Sequence, residues 1–430
     1  MEIEITPLKS IDGEITVPGD KSISHRALIF GSLANGQTKV YNFLTSEDTL
    51  ATLNILKSLG VNIRQTDSNE LIINGEGLHS FCEPLDVLNA KNSGTTIRLI
   101  MGILAAQDFY TVITGDDSLR KRPMKRVIEP LSKMGGRFYG RKSGNYAPIT
   151  ILGSKNISSI TYHSPVASAQ VKSAILINAL YANGVTTVIE PYKSRDHTER
   201  MLKYLGANIL EEENIVNLEG PAYNLYGKEL FVPGDISSAS FFLVASLITK
   251  NSSILIKNVG INPTRIGILK VLKMMGANIE IMNERILNNE PIADLLVKSS
   301  KLKGVEIKGE MIPTLIDEIP ILAVAATQAE GKTVVKDAKE LRVKETDRIK
   351  AITDELRRIG INIIEKEDGF EINGKQKIKG NCTCESYNDH RVAMSLAIAG
   401  LIAENPIKIK NFECVNISYP NFLETLNSLI

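Results

Sequence analysis

The stretch SAQVKSAILINALYANGVTTVIEPYKSRDHTERMLKYLGANI (168–209) contains the pattern that decides the fold. Its first part, 168–184, is apolar nearly all round, which predicts a helix buried in a core rather than one lying on a surface. The segment TTVIEP then predicts a strand rich in β-branched residues. Finally, MLKYLGANI (201–209) predicts an amphipathic helix that stops at a glycine before the chain returns to a strand.

The same order of segments recurs along the whole chain, with a repeat of roughly seventy residues. Each copy opens with a buried helix of small and apolar residues and continues with a strand and an amphipathic helix. The six buried-helix segments are 24–36, 93–107, 168–184, 237–251, 318–331 and 390–405. Repeated βαβαββ units of this kind predict an α/β protein of two domains, each with three units, in which outer sheets cover buried parallel helices.

Two similar strings mark the places where we expect the chain to cross between the domains. VPGDKS (17–22) and VPGDISS (232–238) both contain Pro-Gly, which fixes one backbone dihedral and frees the next, as a hinge requires. The last copy lacks its trailing strands, and the first residues of the chain could supply them. We therefore expect a continuous domain (20–234) and a split domain (1–19 plus 235–430), with an active site in the cleft between them.

The composition argues against several classes of protein. The 430 residues include 50 Lys+Arg and 49 Asp+Glu, and a net charge of +1 predicts no general electrostatic binding to nucleic acid or to a membrane. The longest charge-free apolar stretch, 392–403, is shorter than the roughly 17–25 residues of a membrane span. Four cysteines are too few for a disulfide framework, so we expect a reducing compartment and a cytoplasmic protein without a leader segment.

The starts of the buried helices are polar. Strings such as GDKSISHR, NSGTTIR, SAQVK and NDHR stand where unpaired N–H groups and the helix dipole favour anions. An ordinary N-cap is the alternative explanation for each Ser, Asn or Asp. Cations cluster in the same strings, and arginine is suited to bidentate binding of phosphate and carboxylate groups. This distribution in a near-neutral protein predicts a strongly anionic small-molecule ligand.

Two carboxylates stand in positions that suit acid–base chemistry. Asp317 opens the fifth buried helix in TLIDEIP, and Glu345 lies in RVKETDR between Lys344 and Arg348. A carboxylate beside cations can relay protons, but Glu345 and Arg348 also have the i,i+3 spacing of a structural ion pair. The usual motifs of nucleotide hydrolysis, zinc proteolysis and α/β-hydrolase chemistry do not occur in the chain.

Ordered motifs along essentially the whole chain resemble the 5-enolpyruvylshikimate-3-phosphate synthase family, in its second sequence class. These motifs are PGDKSISHRAL (18–28), NSGTTIR (92–98), RKRPMKRV (120–127), SAQVK (168–172), RDHTE (195–199), NPTR (262–265), LRVKETDR (341–348) and NDHR (388–391). The resemblance implies the family's two-domain inside-out α/β barrel, which agrees with the repeats. It also implies transfer of the enolpyruvyl group of phosphoenolpyruvate to the 5-hydroxyl of shikimate 3-phosphate, with release of phosphate, in chorismate and aromatic amino acid synthesis.

The same resemblance assigns site residues position by position. Our hypothesis for the catalytic residues is that Asp317, with Lys21, removes the hydroxyl proton, and that Glu345 protonates the methylene carbon and later takes a proton back. The substrate-binding residues that the resemblance implies are Lys21, Ser22, Arg26, Gly94, Arg122, Ser168, Gln170, Arg195, Asp317, Lys344, Arg348 and Arg391. No metal and no cofactor are implied, and we expect a monomer whose partners are phosphoenolpyruvate and shikimate 3-phosphate.

Two alternatives remain on the same scaffold. The sister enolpyruvyl transferase that acts on UDP-N-acetylglucosamine usually has a cysteine in a mobile loop, whereas the loop GDDSLRKR (115–122) has none. A non-catalytic anion-binding protein would bind without turnover, and the presence of Asp317, Lys344 and Glu345 argues against it.

Overall fold

A computed structural model describes all residues of the chain, 1–430, and these form two compact units. The N-terminal unit comprises residues 19–232 and 287–290. The C-terminal unit comprises residues 1–18, 233–286 and 291–430. The first residues of the chain therefore belong to the C-terminal unit.

Helices and strands alternate along both units. The helices are α1 (Lys21–Leu33), α2 (Glu47–Ser58), α3 (Gly94–Leu104), α4 (Lys125–Lys133), α5 (Arg141–Gly144), α6 (Ala169–Ala179), α7 (His197–Leu205), α8 (Ile236–Ile248), α9 (Gly267–Met274), α10 (Ile312–Leu315), α11 (Ile319–Gln328), α12 (Arg348–Arg358), α13 (His390–Gly400) and α14 (Phe422–Asn427). Short 3₁₀ turns at Ile316–Glu318 and Lys339–Val343 precede α11 and α12.

The strands are mostly short. They are β1 (Ile3–Ile5), β2 (Asp12–Thr16), β3 (Asn35–Tyr41), β4 (Asn62–Asp67), β5 (Glu70–Glu76), β6 (Leu88–Asn89), β7 (Tyr110–Thr114), β8 (Arg137–Gly140), β9 (Tyr146–Leu152), β10 (Thr161–His163), β11 (Gly184–Ile189), β12 (Ile209–Glu212), β13 (Ile215–Gly220), β14 (Glu229–Phe231), β15 (Ser253–Gly260), β16 (Asn278–Leu287), β17 (Glu290–Lys298), β18 (Glu306–Ile307), β19 (Gly331–Val335), β20 (Ile363–Lys366), β21 (Gly369–Gly374), β22 (Cys382–Glu385) and β23 (Ile407–Lys410).

Six small sheets repeat one topology. The N-terminal unit has the sheets β14-β3-β5-β4, β6-β7-β9-β8 and β10-β11-β13-β12, and the C-terminal unit has β16-β17-β15-β2, β18-β19-β21-β20 and β1-β23-β22. Each sheet contains one parallel pair, for example β10 with β11 or β22 with β23. In the five four-stranded sheets the strand after next along the chain then adds in the antiparallel direction, as β13 does beside β11, and the strand between them in sequence takes the edge.

Strands distant in sequence complete the first and last repeats. The strand β14, from the end of the N-terminal unit, pairs in parallel with β3 near its beginning, with Leu230 opposite Val40. In the C-terminal unit β2 pairs in parallel with β15, while β1 pairs antiparallel to β23 with Ile3 opposite Ile409. The first residues of the chain thus supply β2 to the first repeat of the C-terminal unit and β1 to its last repeat.

Each unit is built on three buried helices. These are α1, α3 and α6 in the N-terminal unit and α8, α11 and α13 in the C-terminal unit, and all of α13 is buried. Small residues let the helices approach closely: the carbonyl of Gly102 on α3 accepts an N–H from Asn178 on α6 at 3.0 Å. This arrangement confirms the predicted α/β fold of buried helices and outer sheets. None of the helices has the length and apolar character needed to cross a membrane.

Glycines end the amphipathic helices, as the repeats predict. Gly206 caps α7 with φ of 114°, a left-handed conformation that favours glycine because it has no Cβ. Glycines with positive φ occupy the equivalent place after α2, α4, α9 and α12, at Gly60, Gly135, Gly276 and Gly360.

The close contact between α3 and α6 makes Gly102 sensitive to substitution. In Gly102→Ala the new Cβ would lie 2.6 Å from the Ala174 carbonyl oxygen, so the two helices would have to separate. We expect the free energy of unfolding to fall by about 1–3 kcal/mol, which urea denaturation measures. In the control Gly260→Ala, the nearest neighbouring atom is 3.4 Å from the new Cβ, an ordinary contact. Equal stability losses in the two variants would contradict this packing argument.

Candidate active site

Side-chain caps fix the starts of five of the buried helices. The capping side chains are Asp20 on α1, Ser93 on α3, Ser168 on α6, Asp235 on α8 and Asp389 on α13. The N-cap explanation of these polar residues is therefore confirmed. It does not exclude a second role, since a hydroxyl that accepts a bond from the helix, such as that of Ser168, can still donate its own hydrogen.

Arg348 is the centre of a charged cluster in the C-terminal unit. Its side chain is 1% exposed, and its Nε donates to Asp389 at 2.8 Å. Its two terminal nitrogens donate to Asp317 at 3.1 Å and to Glu345 at 2.6 Å. Burial lowers the pKa of Arg348, but these carboxylates outweigh burial and raise it above its ordinary value. The guanidinium is thus a permanent cation that holds three carboxylates.

Both predicted catalytic carboxylates, Asp317 and Glu345, therefore accept hydrogen bonds from the guanidinium of Arg348. Asp317 Oδ1 also accepts a bond from Lys344 Nζ at 3.4 Å, so two cations stabilise its charge. The side chains of Asp317 and Glu345 are 13% and 20% exposed, which leaves both accessible from one side. The i,i+3 ion pair between Glu345 and Arg348 is confirmed, and it coexists with a partly open carboxylate.

A second group in the C-terminal unit surrounds Glu318. This buried carboxylate follows Asp317 in the same 3₁₀ turn and accepts a hydrogen bond from the hydroxyl of Ser237. Its Oε1 lies 3.7 Å from Arg391 Nη1. Arg265, from the NPTR motif, donates to Ser237 at 2.7 Å. The consecutive residues Asp317 and Glu318 thus lie beside two different cations: Asp317 beside Arg348, and Glu318 beside Arg391.

The start of α1 places three predicted residues in the N-terminal unit. Lys21 forms an ion pair with Asp48 at 3.1 Å, and the Ser22 carbonyl accepts a bond from Arg26 Nη1 at 2.9 Å. Arg26 is buried and also donates to Thr198 and Ser173, each at 2.7 Å. Burial lowers the pKa of Arg26 to about 10, although the neighbouring acidic groups act in the opposite direction.

A pair of guanidinium groups lies at the start of α3. A Cβ built on Gly94 would be 3.0 Å from Arg98 Nη1 and 3.4 Å from Arg122 Nη1, so both groups face the glycine. Arg98 donates to Gln170 Oε1 at 2.5 Å, and Arg122 donates to Asn92 at 2.7 Å. Gln170 is thereby joined to the helix start that carries Gly94. This arrangement of cations and a bare helix start suits a carboxylate or phosphate group.

Arg195 lies in the loop that precedes α7 and is half-buried. Its positive charge contributes to lowering the pKa of Arg26, after the larger effect of burial. The adjacent residue Ser194 is tied through its N–H to Glu190 at 3.2 Å. Ser168, at the start of α6, is tied through its N–H to the same carboxylate at 3.3 Å.

His25 joins three helices of the N-terminal unit. Its Nδ1 lies 2.7 Å from the hydroxyl of Thr52 on α2, which lies 2.7 Å from the hydroxyl of Thr96 on α3. Thr96 in turn donates to the capping hydroxyl of Ser93 at 2.7 Å. Burial, reinforced by the charges of Lys21 and other cations, holds the pKa of His25 well below 6.5. The neutral imidazole of His25 therefore supports the start of α3 through the hydroxyls of Thr52 and Thr96.

The predicted residues fall into two sets, one in each unit, and we call these sets the N-terminal and the C-terminal cluster. The N-terminal cluster contains Lys21, Ser22, Arg26, Gly94, Arg122, Ser168, Gln170 and Arg195, and the C-terminal cluster contains Asp317, Lys344, Glu345, Arg348 and Arg391. Their individual roles stay predictions. No group of three or more His, Cys, Asp or Glu side chains is placed to hold a metal ion.

Sequence reasoning missed several residues that organise these clusters. Asp389 lies inside the motif NDHR, so its position in a motif was an available signal. Glu318 was visible only as the neighbour of Asp317. Lys172 lies in SAQVK, but its buried partners are far away in sequence and give no local signal.

Comparisons with known proteins agree along the full chain. Residues 5–426 match the model of the family described as EPSP synthase (3-phosphoshikimate 1-carboxyvinyltransferase). A 3-phosphoshikimate 1-carboxyvinyltransferase of Petrotoga mobilis is 72% identical over 100% of this chain and 99% of its own, and that of Geotalea uraniireducens is 52% identical over 99% and 98%. A solved structure of EPSP synthase from Acinetobacter baumannii has a TM-score of 0.90 at 45% identity and covers 100% of this chain and 98% of its own.

His25→Asn is expected to make the protein less sensitive to mild acid. Because the pKa of His25 is lowered by folding, the unfolded chain binds this proton first as the pH falls, and stability falls with it. Between pH 7 and pH 5.5 the wild type should lose about 1 kcal/mol more stability than the variant. Urea unfolding at both pH values measures the difference, and identical pH dependence in the two proteins would show that His25 is not buried as a neutral group.

Proposed function

The chain belongs to the EPSP synthase (3-phosphoshikimate 1-carboxyvinyltransferase) family, and we propose that it transfers the enolpyruvyl group of phosphoenolpyruvate to the 5-hydroxyl of shikimate 3-phosphate. The observation that carries the proposal is the Arg348 cluster, in which one guanidinium holds Asp317 and Glu345 at 3.1 and 2.6 Å. Two carboxylates that are fixed beside each other and partly open can act on two different protons of one reaction.

The charge of the substrates fits the cations of the two units. Phosphoenolpyruvate and shikimate 3-phosphate each have a phosphate and a carboxylate, or roughly five to six negative charges together. We assign the phosphate of shikimate 3-phosphate to Ser22, Arg26, Ser168 and Arg195, with Lys21 shared between the substrates. The residues assigned to phosphoenolpyruvate are Gly94, Arg122, Arg348 and Arg391, and Gln170 is assigned to both substrates. Arginine and lysine in this number can replace the water that such anions lose on binding.

The first half of the reaction is an addition. Asp317, assisted by Lys21, takes the proton of the 5-hydroxyl while its oxygen attacks C2 of phosphoenolpyruvate. Glu345 acts here in its protonated form and gives a proton to C3, so the methylene becomes a methyl group. The product is a tetrahedral intermediate in which C2 bears both the phosphate and the new ether oxygen. Lys344 and Arg348 stabilise the charge of Asp317 before it accepts the proton.

The second half is an elimination. The bond between C2 and the phosphate oxygen breaks, and phosphate leaves with the electron pair. Glu345, now a carboxylate, removes a proton from the methyl group, and those electrons form the new double bond. Glu345 thereby returns to its starting protonation state, and the proton that Asp317 took from the 5-hydroxyl passes to the departing phosphate, so both carboxyl groups are ready for another turnover. Cations beside the leaving phosphate stabilise its charge as the bond breaks.

The proposal includes a monomer in the cytoplasm. All four cysteines are free thiols, which agrees with a reducing compartment.

Glu345→Gln tests the proposed chemistry. Glutamine keeps the size of the side chain and can still accept a bond from Arg348, but it cannot exchange a proton with C3. We expect kcat to fall at least ~10²-fold while both substrates still bind, as is usual for the loss of an acid–base group. Phosphate release measures kcat, and calorimetry measures binding.

Glu367→Gln is the matched control. Glu367 is an exposed carboxylate of the same unit that pairs with Lys339 at 2.7 Å on the surface, so its variant should retain wild-type turnover. Wild-type turnover in Glu345→Gln would remove Glu345 from the proton steps. A variant that no longer binds either substrate would instead place Glu345 in binding rather than in chemistry.

A further inference from the structure

Lys172 has an ammonium group that is enclosed by protein. It lies near the start of α6 with a side chain 1% exposed, and its Nζ is 2.7 Å from Glu190 Oε2 and 2.7 Å from Glu199 Oε1. Burial lowers the pKa of Lys172, but the two carboxylates outweigh burial and raise it above its ordinary value. A buried ion pair usually adds little net stability compared with apolar packing of the same volume. A role for Lys172 is therefore to be sought in the groups that its two carboxylates hold in place.

Glu190 connects Lys172 to two of the predicted phosphate ligands. It follows β11, and its Oε1 accepts the N–H of Ser168 while its Oε2 accepts the N–H of Ser194. Lys172 Nζ also lies 3.5 Å from the Ser194 carbonyl oxygen. Ser168 begins α6 and Ser194 directly precedes Arg195, so one buried carboxylate fixes both the helix start and the loop that carries the arginine.

Glu199 connects Lys172 to the third ligand. It lies on α7 next to Thr198, whose hydroxyl accepts a bond from Arg26 Nε at 2.7 Å. Ser173, the neighbour of Lys172 on α6, accepts a bond from Arg26 Nη2 at 2.7 Å. The charge of Glu199 favours the protonated form of Arg26, whose pKa burial lowers. Through Glu190 and Glu199, Lys172 therefore supports the segments that carry Ser168, Arg195 and Arg26.

We propose that Lys172 is a positioning residue for the phosphate of shikimate 3-phosphate, acting through Glu190 on Ser168 and on the loop that carries Arg195. This inference rests on the proposed function, which assigns that phosphate to the N-terminal unit. Without the ammonium, Glu190 and Glu199 would repel each other, or one would take up a proton. In either case Glu190 would no longer hold both N–H groups as an ionised acceptor.

The test compares Lys172→Met with the wild type. Loss of one charged partner from a buried group should raise the Kd for shikimate 3-phosphate, measured by calorimetry, at least about tenfold. The KM for shikimate 3-phosphate should rise similarly, while kcat at saturation and the KM for phosphoenolpyruvate change less than about threefold. Such a split separates lost positioning from general damage to the fold, which would lower kcat as well.

Asn178→Ala is the matched control. Asn178 is buried on the same helix and donates to the Gly102 carbonyl, so its loss destabilises α6 without touching Glu190. This variant should keep wild-type affinity for shikimate 3-phosphate. If Lys172→Met does not fold, Glu190→Gln replaces it, because the amide keeps the size of the side chain but loses one of the two acceptors. That variant should raise the Kd about threefold or more.

Three results would overturn the inference. One is a folded Lys172→Met, or Glu190→Gln in its place, that binds shikimate 3-phosphate as tightly as the wild type. Another is an equal loss of affinity in Asn178→Ala, because the effect would then follow helix stability. A wild-type protein that releases no phosphate from the two substrates and does not bind shikimate 3-phosphate would overturn the proposed function together with this inference. If the wild type turns over and the folded Lys172 or Glu190 variant binds shikimate 3-phosphate normally, only the role of Lys172 is overturned and the proposed function stands.

Discussion

The interaction of one buried guanidinium with three carboxylates is the constraint on which the C-terminal cluster depends. Asp317 precedes α11, Glu345 precedes α12 and Asp389 caps α13, so Arg348 ties together the starts of three elements. Removing one partner from a buried ion pair costs about 3–5 kcal/mol, because the remaining charge is left uncompensated. The relative positions of the two proposed catalytic carboxylates are therefore set by electrostatics as well as by helix packing.

The N-terminal unit uses the opposite arrangement of charges. There one ammonium, that of Lys172, lies between the carboxylates of Glu190 and Glu199. In both units the cation is buried. Lys172 and its two carboxylates lie within one copy of the repeat, whereas Arg348 joins residues of the fifth copy to Asp389 of the sixth. The C-terminal group leaves carboxylates partly open, which suits proton transfer. The N-terminal group positions the start of α6 and the segments that carry Arg26 and Arg195, an arrangement that suits anions.

The repeated pattern made much of the fold predictable. The apolar helices are buried, and glycines such as Gly206 end the amphipathic helices, because both follow from local periodicity and backbone sterics. Pairings such as β14 with β3 depend on the closure of a whole unit and could not be read from one segment. In the site, the motifs singled out Asp317 and Glu345 as candidates, and the structure places both carboxylates beside Arg348. The partners of Lys172 lie 18 and 27 residues away in sequence, and only the folded chain shows that these charges meet.

The most direct test of the account is phosphate release from phosphoenolpyruvate by the purified protein, with each possible acceptor and in the presence of EDTA. The account predicts release that requires shikimate 3-phosphate and is unchanged by the chelator, since the chemistry is assigned to side chains alone. Release that requires UDP-N-acetylglucosamine instead would contradict the assigned acceptor. Tight binding of phosphoenolpyruvate without release in any mixture would contradict the assignment of Asp317 and Glu345 to proton transfer.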